Sequence, residues 1–417
     1  MEIANYFKGC VNYKLSPEND CFVTNLDRDL HLFIIWAGAR HDEQLIISEL
    51  SESFSILAQC KFEWSPEFYK NNIKRFYKFF DNERIINNIN LKVRDGKFTC
   101  VVVEDKSPIY KYRQNVSGPI QLVNDKALSL KRLARNRVGD NVIHSSSSPE
   151  EFYEQAVLLF TEAELKEIIK GQWVNSEKEF KRNLIGCDGW KDFKELFFVL
   201  RNTADYLILR NYEFLLDEGG ADINDIDLLC QNDVDVIAGA NLQDKGTQYS
   251  GNVKVADRDI VLDLHTQSDR YFDPNWVREM LDNKINNNGL FVPEINDYFF
   301  ALIYHYSLKK KIFKSKYKND LINISRKFDF DFFDIDTFES NKSLANVVSG
   351  YLLANHYIYE KPTNRVTYQN YSVIQYLDPK VTLMSDSLLF KLYRSLAPRF
   401  IKRLIPTFIK NLIKRAL

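Results

Sequence analysis

Two aspartates, Asp225 and Asp227, stand two residues apart in the run DIDLLC. In a strand, residues i and i+2 face the same side, so both carboxylates project together. Adjacent carboxylates repel unless a proton or cation lies between them. Oxygen-only ligation suits a hard divalent ion, Mg²⁺ or Mn²⁺, shared with substrate phosphates. A third carboxylate, Asp263, interrupts the apolar run IVLDLH and offers to complete such a site from a second strand. Nearby basic and polar groups could grip phosphate: Arg210 and Asn211, Arg270 in the loop SDRYFDP, and Lys245. In the helix expected over Asn296 to Lys311, His305 and Lys309 are four apart and share a face. A separate centre is suggested by His144, which ends a short strand just before the N-terminus of a helix opened by Ser148 and Pro149. Backbone N–H groups favour anions there, and an imidazole can take up a phosphoryl group as a nucleophile.

The elements that must position these groups fall into three sections. Up to about Thr161 the pattern is strand Leu30 to Ala37, helix His41 to Leu57, strand Ala58 to Trp64, and a helix opened by Ser65 and Pro66. Strand Phe98 to Val103, a basic helix Leu122 to Asn136, strand Asn141 to His144 and a further helix follow. That order predicts a four-stranded antiparallel sheet covered by helices, as in ferredoxin-like folds. A mainly helical connector, 162–191, leads to a second section, 192–326. It contains a helix over Asp192 to Ala204, strand Tyr206 to Leu209 and a helix Asn211 to Glu218 ended by Gly219 and Gly220. Strand Asp225 to Cys230 and a hairpin over Val253 to Ala256 and Ile260 to His265 complete it. The third section, 327–386, carries a helix near Ser343 to Tyr357 and a hairpin around Lys361 to Tyr371. The expected class is α+β.

Two family resemblances rest on these residues. The segment from Asn141 through His144 to Glu151 resembles the active-site strand of nucleoside diphosphate kinases, Asn-x-x-His-Gly-Ser-Asp-Ser before a helix. The resemblance implies that His144 is the phosphorylated histidine and that Asn141 contacts ribose and phosphate. The family's Gly and Asp are Ser145 and Ser147 here, and its phosphate-gripping arginines have Arg113, Arg132 and Arg135 as candidates. The second section resembles the nucleotidyltransferase superfamily, including its choline-phosphate and fukutin-type members. There the pattern is a strand, a helix, Asp-x-Asp among hydrophobics and a later strand aspartate. It implies that Asp225, Asp227 and Asp263 bind the metal. The family's glycines are replaced by Arg210, Asn211 and Tyr212, with Arg210 supplying a charge in their place.

Of 417 residues, 56 are Lys or Arg and 57 Asp or Glu, for a net charge of -1; 45% are hydrophobic. The neutral total is a sum of opposites. The last 31 residues, 387–417, carry eight basic and no acidic residues, or +8, leaving 48 basic and 57 acidic, or -9, on the other 386. In the tail Leu, Ile and Phe alternate with Lys and Arg at helical spacing, the pattern of an interfacial helix on anionic lipid. With no nucleic-acid reader module beside it, nucleic acid is not expected as a partner. Six cysteines without a Cys-x-x-Cys pair read as reduced thiols, and no secretory signal or spanning segment is visible, so a cytoplasmic, peripherally membrane-bound protein is expected. Together with the resemblances, this predicts an Mg²⁺-dependent nucleotidyl- or phospho-alditol/sugar transferase. It would use a nucleotide-activated donor and a glycan or lipid-linked acceptor in surface polysaccharide synthesis. A phosphotransferase acting through His144 and a non-catalytic nucleotide-binding scaffold are the other classes.

Overall fold

The structure is a computed structural model that describes residues 14–15, 21–23, 29–78, 95–114, 120–139, 142–173, 177–213, 215, 223–247, 250–311, 315–328, 333–338, 340–364 and 367–383. It is mixed α+β. The chain divides into two compact units. The first is Met1–Ala204 with Val234–Val261, and the second is Asp205–Asp233 with Leu262–Leu417.

The first unit is built on β3 (Asp29–Trp36), which follows the short strands β1 (Lys14–Leu15) and β2 (Cys21–Val23). All eight residues of β3 are buried, as its continuous apolar run requires of a strand covered on both faces. Helix α1 (Glu43–Ser53), strand β4 (Ser55–Glu63) and helix α2 (Tyr69–Tyr77) lead to β5 (Lys97–Asp105). Next come β6 (Ile109–Gln114), β7 (Ile120–Asn124), α3 (Asp125–Val138), β8 (Ile143–Ser145), α4 (Pro149–Leu159), α5 (Glu162–Ile169), β9 (Glu177–Lys181) and α6 (Phe193–Thr203).

The main sheet runs β8-β3-β5-β4-β9. β3 is antiparallel to both β5 and β8, and β4 is antiparallel to β5. Counting only β3, β4, β5 and β8, the spatial order is fourth, first, third, second. β6 and β7 form a hairpin in a separate sheet, β1-β2-β6-β7. Between the elements lies an aromatic core. Trp36 packs on Phe98 at 4.8 Å and Trp64 at 5.6 Å between ring centres, and Phe62 stacks on Phe98 at 5.2 Å. At about 25 cal/mol per Å² of apolar surface, such rings dominate the burial energy.

The connector 162–191 is not helical throughout. Its residues Glu177–Lys181 form β9, parallel to β4, with Phe180 stacked on Phe62 at 5.0 Å. The expected boundaries at 161 and 191 therefore fall inside one compact unit.

Ala256 and Asp257, both at positive φ (47° and 63°), make the two-residue turn of a type I′ hairpin. Beyond α7 (Asp233–Ala240) and β12 (Gln243–Thr247), β13 (Ser250–Val255) and β14 (Arg258–His265) form the expected hairpin. Along β14 the chain passes from the first unit into the second.

In the second unit β10 (Tyr206–Ile208) pairs antiparallel with β11 (Asp225–Cys230), and β11 neighbours β14. Helix α8 (Pro274–Asp282), the hairpin β15 (Ile285–Asn287) and β16 (Leu290–Val292), and helices α9 (Ile295–Leu308), α10 (Ser315–Lys327) and α11 (Asn341–Ala354) follow. Two short helices, α12 (Tyr371–Ile374) and α13 (Pro379–Leu383), end the described chain. Among the described residues around Lys361 to Tyr371 no strands form. The backbone there bonds elsewhere: Tyr359 N–H to Val381, Thr363 N–H to Asp269 and Asn370 N–H to the end of α9 at Leu308. Of the helix expected over Asn211 to Glu218, residues 211–213 and 215 are not helical. Gly219, Gly220, Asn141 and the tail 387–417 lie outside the described residues.

Candidate functional site

The alternation in β14 explains where its aspartate goes. Ile260, Leu262 and Leu264 are buried, while Asp263 and His265 occupy the half-buried opposite face. On β11 Asp225 is exposed at the strand start and Asp227 is buried. Leu209 N–H donates to the Asp227 carbonyl at 2.9 Å, extending the β10–β11 ladder by one residue. The next residue, Arg210, turns its guanidinium onto the Asp227 carboxylate, and this ion pair is almost wholly buried. The neighbouring Asp227 charge keeps Arg210 firmly protonated although burial opposes it. Burial, then Asp227 and Asp225, raise the Asp263 carboxyl above its usual range. The three sequence-selected carboxylates thus feel one another's charge.

A second group of side chains adjoins them in sequence and charge. His265 Nδ1 lies 2.8 Å from Asp269, whose other oxygen accepts from the Tyr271 N–H at 2.7 Å. The Tyr271 hydroxyl donates to His305 Nδ1. Burial, with the Arg210 charge behind it, drives His305 well below the usual imidazole range, so it is a neutral acceptor. Burial raises the Tyr271 phenol, which keeps its proton. Lys309 is 3% exposed and lies among the rings of Tyr271, Tyr304 and Tyr359, 4.9 to 5.5 Å from their centres. Its ammonium donates to Gln369 at 3.2 Å, and burial lowers its pKa to about 7.

The other phosphate candidates sit apart from this group. Arg270 is 60% exposed in its side chain and faces Glu360 at 3.6 Å. Asn211 is exposed at φ 58°. The donor set of Asp225, Asp227 and Asp263 suits Mg²⁺ or Mn²⁺ in kind, and its mutual repulsion is what a cation relieves. Its placement differs from a closed site. Among the described residues, no three His, Cys, Asp or Glu side chains stand close enough together to hold a metal ion. Arg210 serves Asp227 as the counter-cation.

In the first unit, His144 is buried in the middle of β8 and not at its end as expected, since the strand runs on to Ser145. Its Nε2 donates to Gln155 Oε1 at 2.8 Å, and the rings of Phe76 and Tyr77 close edge-on at 5.5 and 5.3 Å. Burial lowers its pKa to about 4, helped by the Lys131 charge. Glu151 accepts from both the N–H and the hydroxyl of Ser147, at 2.6 and 2.8 Å. Arg135 is spent on the Ile143 carbonyl and Arg113 on Asp125. The imidazole is neutral, enclosed and engaged through Nε2.

The sequence singles out Arg210, Asp227, His305 and Lys309, but neither the pairing of Arg210 with Asp227 nor the partners Tyr271 and Gln369. Asp269 and Gln369 carried no motif at all.

No family model matches the chain, and no curated protein matches it. Thirteen chains of known structure match. One is the nucleoside diphosphate kinase of Aquifex aeolicus, in an orthorhombic crystal form. It is 18% identical, covers 33% of this chain and 98% of its own, and has a TM-score of 0.23. That likeness carries no argument about activity.

Proposed function

We propose that the second unit is an Mg²⁺-dependent transferase moving a nucleotidyl or phospho-alditol/sugar group from a nucleotide-activated donor to a glycan or lipid-linked acceptor. The observation behind this reading is the placement of Asp225 and Asp227 on β11 beside Asp263 on β14, with Arg210 buried against Asp227, and the raised proton affinity of Asp263 accords with it. A carboxylate with raised proton affinity, beside further negative charge and a buried arginine, is what a general base at a phosphate-handling site needs. Asp263 takes the proton of the acceptor hydroxyl as its oxygen bonds to phosphorus and the donor's leaving phosphate departs. Arg210 offers a fixed positive charge to the donor phosphates once Asp227 releases it. Asp225, Asp227 and Asp263 have the donor chemistry that suits Mg²⁺ or Mn²⁺ but would have to close up from their present placement to hold it, and the ion would then neutralise charge on the donor phosphates. In the first unit, the fourth-first-third-second strand order is that of ferredoxin-like folds, and it supports a nucleotide-binding or donor-orienting role by analogy of fold.

The test is release of nucleoside phosphate from a panel of nucleotide-activated sugars and alditols in Mg²⁺, by the wild type, Asp263→Asn and Asp227→Asn. Removing a general base typically costs 10²–10⁴-fold, so a loss of at least about a hundredfold is expected in Asp263→Asn with the circular dichroism spectrum unchanged. Full turnover by Asp263→Asn overturns the assignment.

A further inference from the structure

A cleft of about 610 Å³ opens in the second unit beside the segment that joins α11 to α12. Its size is that of a small-molecule site. Tyr368 and Tyr371 line it and remain 45% and 61% exposed. Asn364, Thr367 and Gln369 supply amide and hydroxyl groups between them. Among the described residues that line it, Lys361 is the only charged one.

The wall is held in place from behind. Gln369 Oε1 accepts from the Lys309 ammonium at 3.2 Å and from the Tyr359 hydroxyl at 2.6 Å, while its Nε2 donates to the Thr367 carbonyl at 3.2 Å. Asn370 N–H and Nδ2 both bond the end of α9, at Leu308 and Ser307. A loop so tied loses little further freedom when a ligand arrives.

The chemistry of the lining defines the ligand. Two exposed tyrosine faces need apolar, weakly positive surface to stack on, because the ring face carries negative charge density. The interleaved amides and hydroxyls need hydroxyl partners at short spacing. A pyranose presents both requirements at once, C–H groups on its faces and hydroxyls around its rim.

We propose that this cleft is a saccharide-binding subsite in which a neutral sugar ring stacks on Tyr371 and Tyr368 and is read by Asn364, Thr367 and Gln369. The role as an acceptor subsite rests on the transferase reading; binding itself does not. The experiment is saturation-transfer NMR and calorimetry on the full chain with maltose, lactose and N,N′-diacetylchitobiose, and with UMP as the competing class. At least one disaccharide is expected to bind in the millimolar range, with its ring C–H protons receiving saturation. Tyr371→Ala is expected to weaken it roughly two- to twelvefold, since an aromatic contact contributes about 0.5–1.5 kcal/mol. Tyr371→Phe, which keeps the ring, is expected to bind as the wild type does. Absence of binding by all three sugars, equal binding by Tyr371→Ala, or preferential binding of UMP in the cleft overturns the proposal. Sugar binding that survives in an Asp263→Asn protein of unchanged turnover would sink the transferase reading and leave the subsite standing.

Discussion

Asp227 shows how a buried carboxylate settles its charge. Without a cation the cost of burying it is severe, and Arg210, placed by one extra ladder bond at Leu209, supplies the cation from within the chain. The Asp pair and Asp263 were legible in the sequence because an aspartate inside a run of Ile and Leu contradicts its neighbours. Arg210 was legible as a charge but not as the partner of Asp227, since pairing needs the register of β10 on β11. His144 stood out through a motif, yet its fate was set by packing: Phe76, Tyr77 and Gln155 come from elements that no local spacing connects to it. That enclosure yields a pH prediction. The folded imidazole titrates near 4 and an unfolded one near 6.5, so between those values the unfolded chain binds more protons. Stability is therefore lost as pH falls from 6.5 towards 4. Glu151, held below its ordinary value, adds to the loss only at lower pH. Urea midpoints followed by tryptophan fluorescence at pH 7 and 5 should show the wild type losing about 2 kcal/mol more than His144→Gln. An identical pH response in the two proteins would remove His144 as its source.

Among the elements, those with strong periodicity or continuous apolar runs were readable: β3, β5, α6 and α9 lie close to their expected spans. The elements missed were those stabilised from outside themselves. β9, with the sequence EKEFK, has one apolar side chain and would not be a strand alone. It is one because five residue pairs run parallel to β4 and Phe180 lies against Phe62. Its charged exterior also suits the outer edge of a sheet, where lysines discourage pairing with another chain. β6 mixes Lys, Arg and Gln with Ile and Tyr, and its hairpin partner β7 leaves Ile120 66% exposed, so neither shows a clean alternation. The edge argument makes Phe180 the anchor of β9. Phe180→Ala is expected to cost about 2–3 kcal/mol, at the low end for a half-buried aromatic. Hydrogen exchange of amides 177–181 should speed up well before those of β3, and unchanged protection would place the anchor elsewhere. In the second unit the segment around Lys361 to Tyr371 reads as a hairpin because its tyrosines and threonines suit strands, while its backbone partners lie on α9 and the Asp269 loop.

For the whole molecule, charge is divided along the chain more sharply than composition suggests. Among the described residues no helix is long and apolar enough to cross a membrane. The +8 segment 387–417 is the part suited to anionic lipid, at about 1 kcal/mol for each basic residue near the surface. Flotation with phosphatidylglycerol-containing vesicles should recover the full chain at low salt and lose it on deletion of 387–417 or at about 0.5 M salt, where screening is nearly complete. Equal recovery with and without the segment would refute lipid attachment through it. The first unit is built from two stretches of chain separated by 205–233, and this has a bearing on synthesis. Arg75 is buried and donates to the carbonyls of Ile185, Ala238 and Gly239. A nascent chain that has left the ribosome only as far as residue 204 carries that guanidinium with two of its three acceptors still unmade. The aromatic core around Trp36 can assemble early, but the charge in α2 is satisfied only after α7 emerges. Folding of the first unit during translation is thereby timed by residues beyond the first strands of the second, and a gene cut at residue 204 would produce a fragment with an unanswered cation in its interior.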